Sequence, residues 1–94
     1  MRAGRVVATL DIVMYSAGWC PYCERARALL SRKGLPFREI KVDENPTDRD
    51  AMLARSGGRR TVPQIFIGDH HVGGFDDLYA LDKAGKLDEL TGRT

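Results

Sequence analysis

Cys20 and Cys23 stand three positions apart and are the only two cysteines among 94 residues. Three chemistries use such a pair. A structural disulfide is one, but closing so short a loop takes little entropy from the unfolded chain and stabilises little. Half of a zinc site is another. Zinc needs four ligands, and the other candidates, His70 and His71, are adjacent in the chain and lack the spacing that turns two imidazoles onto one ion. Thiol–disulfide exchange is the third. It uses C-x-x-C beside a strand–helix–strand pattern in a chain without a secretory signal. The residues favour this third reading, and no metal is expected.

Exchange chemistry needs a thiolate, and a helix N-terminus stabilises one through its unpaired N–H groups and positive dipole end. The pattern around the pair supplies such a terminus. Residues 10–15 read as a strand, with Leu10, Ile12 and Met14 on one face and Val13 and Tyr15 on the other. A strand apolar on both faces belongs in a covered sheet. After a short loop, residues 22–33 read as a helix with Ala26, Leu29 and Leu30 inward, stopped by Gly34 and Pro36. Cys20 therefore sits at the helix start, where Pro21 fits because its missing N–H would have no partner. Cys23 lies one turn further in, at a separation that suits a disulfide. The expected division of labour is attack by Cys20 and resolution by Cys23.

Residues 37–42 form a second strand, parallel to the first by the crossover rule. Asn45 and Pro46 supply an N-cap and a first-turn proline for a helix over 49–56, buried through Met52 and Leu53 and ended by Gly57 and Gly58. Strands at 64–67 and 70–72 flank Gly68-Asp69, a two-residue connection with glycine first, as a type II′ hairpin prefers. Asp76 and Asp77 open a further helix that packs Leu78 and Leu81 inward and closes at Gly85, and 87–90 add a short final turn. Residues 1–9 are expected to be a flexible leader, and 10–94 the single domain.

Composition narrows the rest. Charged residues make up 30 % and hydrophobic ones 43 %, which is globular. The net charge of +2 is small and its charges are interspersed, so neither nucleic acid nor a membrane surface is an expected partner. Asp11 interrupts the apolar run after Val6 far short of a signal peptide or membrane helix, and the expected location is the cytoplasm.

Three motifs in order, Cys20-Pro21-Tyr22-Cys23, Thr61-Val62-Pro63 and Gly73-Gly74-Phe75-Asp76-Asp77-Leu78, resemble the dithiol glutaredoxins. The Arg60–Ile67 and Asp77–Leu81 stretches fit the bacterial glutaredoxin 3 type, and the resemblance covers about residues 11–90. It implies an α/β chain of thioredoxin fold, β-α-β-α-β-β-α, with a four-stranded mixed sheet and helices on both faces. It also implies glutathione as reducing co-substrate, with no tightly bound cofactor. The family's nucleophile falls on Cys20 and its resolving thiol on Cys23. Pro63 is expected to be cis and to turn the Val62 backbone, beside Thr61, toward the cysteinyl part of glutathione. From spacing alone Gly73-Gly74 is either the exit of a hairpin or a close approach for ligand. The resemblance puts the γ-glutamyl carboxylate at Gly74, Phe75, Asp76 and Asp77, with an Asp side chain on the α-ammonium. Tyr22 would flank the sulfur, and Arg49, with Arg60 second, would hold the glycine carboxylate.

The implied activity is reduction of protein–glutathione mixed disulfides and protein disulfides by a monomer, with ribonucleotide reductase among the candidate clients. A two-chain module holding a [2Fe–2S] centre is the rival of another class; Pro21 and a second thiol able to close on Cys20 speak against it. A thioredoxin-like protein served by a flavin reductase is a further alternative, and the Gly73 to Asp77 motif counts against that. Two positions depart from the family pattern: Ala17 stands where lysine is frequent, and Trp19 replaces a small residue before Cys20.

Overall fold

A computed structural model describes residues 11–91; the leader expected over 1–9 lies outside the described residues. The elements run β1 (Ile12–Ser16), α1 (Pro21–Arg32), β2 (Arg38–Lys41), α2 (Pro46–Arg55), β3 (Gln64–Ile67), β4 (His70–Gly73), α3 (Phe75–Lys83) and α4 (Lys86–Thr91). The sheet order is β2-β1-β3-β4. β2 lies parallel to β1, β3 antiparallel to β1, and β4 antiparallel to β3. This is the four-stranded mixed sheet of the thioredoxin fold. β1 and β3 are buried along their whole length, since each has a neighbour on both edges and helices on both faces.

The alternation in β1 divides the core in two. Ile12 and Met14 face Ala26, Leu29 and Leu30 of α1, Leu78 of α3 and Leu87 of α4. Val13 and Tyr15 face the other way, toward Met52 of α2, Val42 and Phe66. Leu53, expected inward, is only partly buried at the margin of this second cluster. No helix among the described residues is long and apolar enough to cross a membrane.

Element boundaries follow local chemistry. α2 starts at Pro46, earlier than the expected 49, because Asn45 Oδ1 accepts the Thr47 N–H at 2.9 Å and starts the helix there. The final turn is longer than expected and forms α4, which buries Leu87 completely. Gly68 has φ +58°, and no non-glycine residue among those described, Asp69 included, has a positive φ. That combination is the signature of the expected type II′ turn.

Two polar clusters lock the elements together. Glu39 on β2 accepts from Ser16 Oγ at 2.6 Å and from Arg27 Nε at 2.9 Å. The Arg27 hydrogen bond, more than any other influence, holds the Glu39 carboxyl below its usual value of 4.5. This clamp ties the end of β1 to α1 immediately before the cysteines. Lys33, at the end of α1, reaches Asp82 at 2.9 Å and Asp88 at 3.1 Å and so joins α1 to α3 and α4.

Candidate active site

β1 ends at Ser16, and four residues later the chain enters α1 with Cys20 as its N-cap. Cys20 has extended backbone, and its sulfur accepts the Cys23 N–H at 3.1 Å. A sulfur thus takes the place that a Ser or Asp oxygen takes in an ordinary cap, and a thiolate there would receive the same N–H. Pro21 occupies the first turn, as expected. Cys20 and Cys23 are joined as a disulfide with their Cα atoms 5.2 Å apart. Cys20 keeps 8 % of its surface exposed, whereas Cys23 has 0 %. The loop before them is pinned by Gly18 N–H donating to Asp43 Oδ2 at 2.9 Å. Trp19 in this loop is almost fully exposed, and Ala17 is partly buried.

The segment entering β3 faces the sulfur. Its Val62–Pro63 peptide is cis, and the Val62 carbonyl oxygen lies 3.8 Å from Cys20 Sγ. The third wall is the start of α3. Gly74 is its N-cap, and its N–H donates to Asp77 Oδ2 at 3.0 Å. Gly73, with φ +114°, brings the backbone so close that a Cβ there would collide with the Asp77 carboxylate. Arg59 Nη2 stands 4.0 Å from the same carboxylate. Across the gap the Tyr22 ring lies over Phe75, centroids 6.5 Å apart and planes 28° apart.

These walls enclose a cleft of about 310 Å³. α1 contributes Tyr22; the loop before β3 contributes Arg59, Thr61, Val62 and Pro63; the start of α3 contributes Gly74, Phe75, Asp76 and Asp77. Arg49 is exposed on α2 and does not line the cleft, nor does Arg60. Arg59, which sequence reasoning passed over, does. Its backbone is held by Ser56, whose Oγ accepts the Arg59 N–H at 3.1 Å and donates to the Arg59 carbonyl at 3.2 Å. Gly57 and Gly58, with φ +71° and +93°, turn the chain so that Arg59 and not its neighbour enters the cleft.

A dithiol with one reachable sulfur, on a capped helix start opposite an X-Pro loop, defines a thiol–disulfide oxidoreductase of the thioredoxin fold. The glutaredoxin family model matches residues 12–72. The chain belongs to the glutaredoxin family. It is 60 % identical to a glutaredoxin of Pseudomonas aeruginosa over 79 residues, 84 % of this chain and 93 % of that one. It is 55 % identical to glutaredoxin 3 of Escherichia coli K12 over 80 residues, covering 85 % and 95 % of the two chains. Among solved structures, a buckwheat glutaredoxin–glutathione complex superposes with a TM-score of 0.79 at 31 % identity, covering 88 % of this chain and 77 % of that one.

Proposed function

We propose that this chain is a glutathione-dependent oxidoreductase that reduces protein–glutathione mixed disulfides and protein disulfides. The carrying observation is that one cleft joins Tyr22, the Val62 peptide and the start of α3, and that its Val62 carbonyl lies 3.8 Å from Cys20 Sγ. A tripeptide with a central thiol and a carboxylate at each end matches that sequence of partners. The Val62 N–H and C=O pair with its cysteinyl backbone as a short antiparallel strand, beside Thr61. The γ-glutamyl carboxylate takes the N–H groups of Phe75 and Asp76 at the helix start, with an Asp77 oxygen on the α-ammonium. Tyr22 flanks the sulfur. Arg59, 4.0 Å from Asp77, adds a positive charge at the γ-glutamyl end, and the glycine carboxylate at the other end falls to Arg49, with Arg60 second.

The chemistry follows from the two sulfurs. The Cys20 thiolate attacks the glutathione sulfur of a glutathionylated protein, the protein thiolate leaves, and a Cys20–glutathione disulfide remains. A second glutathione thiolate attacks its glutathione sulfur, and Cys20 leaves as thiolate with glutathione disulfide as product. With a protein disulfide, Cys20 forms a mixed disulfide with one client sulfur and releases the other. The Cys23 thiolate then attacks Cys20 and expels the client thiolate, giving the Cys20–Cys23 disulfide present in this structure. Two glutathiones reduce it again.

The setting we propose is the cytoplasm, where glutathione is reduced. The chain acts there as a monomer on client proteins, ribonucleotide reductase among them, without nucleic acid, membrane or tightly bound cofactor. The test is turnover of a glutathionylated peptide and of a protein disulfide with glutathione as sole reductant. Cys20→Ser should lose both activities; Cys23→Ser should keep the first and lose the second. A Cys23→Ser protein inactive on the glutathionylated peptide, or a wild type that glutathione does not sustain, would overturn the reading.

A further inference from the structure

We propose that His71, outside the cleft, is a positioning residue for its Thr61–Val62 wall, acting through the buried side chain of Gln64. Gln64 is fully buried although its side chain is polar. A buried amide must place both ends. Its Nε2 donates to the Thr61 carbonyl at 3.0 Å and to Thr61 Oγ1 at 3.2 Å. With the nitrogen end so committed, the Oε1 end faces the other way and meets His71 Nε2 at 2.7 Å. A carbonyl oxygen only accepts, so His71 must carry its proton on Nε2.

The sheet makes this contact possible. Phe66 and His71 are register partners on β3 and β4, and Gln64, two residues from Phe66, shares their face. The two-residue turn sets Ile67 opposite His70 and Phe66 opposite His71, and the register shifts only beyond them, where Ile65 meets Gly73. The His71 ring lies flat on Phe66, centroids 4.6 Å apart and planes 17° apart, which fixes the imidazole plane. Arg55 also stacks on Phe66, 4.1 Å from its centroid, so the aromatic support is itself held. Burial, with Arg59, His70 and Arg55 adding to it and Asp77 opposing, keeps the His71 pKa below the usual 6.5. The ring is therefore neutral at pH 7, and its one proton is the one Gln64 requires.

The consequence reaches the reacting sulfur in three links: His71 to Gln64, Gln64 to the Thr61 carbonyl, and the Thr61–Val62 peptide to the cleft wall beside Cys20. Without the His71 donor, Gln64 Oε1 is stranded in the interior. The amide then gains by rotating toward water, and the Thr61 peptide loses its anchor.

The inference rests on the reading that glutathione pairs with this segment. Its test compares His71→Leu, which keeps an apolar side chain against Phe66 but no donor, with His71→Gln, which restores an N–H donor. Asp77→Ala reports on the glutathione site independently. With a glutathionylated peptide, His71→Leu should raise KM up to about tenfold with kcat within about twofold, the pattern of lost binding rather than lost chemistry. His71→Gln should recover most of that loss. In wild type, nitrogen-15 NMR of the imidazole should show the Nε2–H tautomer at pH 7. If Asp77→Ala raises KM and His71→Leu does not, the role of His71 is refuted while the glutathione reading stands. If neither variant moves KM, both fail. A fall in kcat at constant KM, equal loss in His71→Leu and His71→Gln, or an Nδ1–H tautomer also overturns the proposal.

Discussion

Replacing Gly73 with alanine tests how tightly the cleft is built into the fold. The substitution adds a single methyl group, yet two costs arise. The backbone at φ +114° is a region that residues with a Cβ rarely enter, and holding alanine there costs about 1–3 kcal/mol. The new methyl also drives the Asp77 carboxylate off the Gly74 N–H, and losing a cap costs about 1 kcal/mol. Together about 2–4 kcal/mol should vanish, which lowers the Tm of a domain this size by roughly 10–30 °C. Urea unfolding of Gly73→Ala, Asp77→Ala and the double variant measures the parts separately. With Asp77 already truncated the methyl meets no carboxylate, so the double variant should lose less than the sum of the singles. A Gly73→Ala protein within about 0.5 kcal/mol of wild type, or strictly additive losses, would refute the close-approach argument.

Glu39→Gln should show the pH signature of the β2 clamp. Its carboxyl is held below 4.5, so the clamp stabilises the fold above that pH and its contribution is lost as the pH falls through the lowered value. The stability gap between wild type and Glu39→Gln in urea should therefore be largest near neutral pH and close in acid. Leu30→Ala, at a fully buried position between α1 and the sheet, should cost about 2–5 kcal/mol by calorimetry or urea unfolding. Arg59→Ala should raise the KM for glutathione by roughly tenfold, as loss of a hydrogen bond to the γ-glutamyl carboxylate does. A KM unchanged from wild type would take Arg59 out of the γ-glutamyl end of the cleft.

Much of the fold was legible because its signals are local. The alternation of Ile12, Val13, Met14 and Tyr15 announced a strand covered on both faces, and the two core clusters divide those side chains as read. Gly68-Asp69 and Asn45-Pro46 carry their turn and cap chemistry within two residues. The cysteines were legible for the same reason, since helix start and spacing are both local. The cis form of Val62–Pro63 was not readable from composition and came only through the resemblance. Arg59 was hidden because adjacent arginines look alike until the positive φ angles of Gly57 and Gly58 choose between them. The pairing of Gln64 with His71 is a diagonal contact between two strands, and no pattern along one strand records it.

The unequal exposure of the two sulfurs sets the regiochemistry of the oxidised protein. An incoming thiolate can approach the disulfide only at Cys20, because Cys23 offers no surface. Cys23 is then always the leaving group, departing into the helix, and the covalent adduct always resides on Cys20. By microscopic reversibility the oxidation of the dithiol must retrace that path. A single adduct therefore serves as the gateway in both directions. Mass mapping of the trapped mixed disulfide should find it on Cys20 whether the cycle is entered from the reduced or the oxidised side.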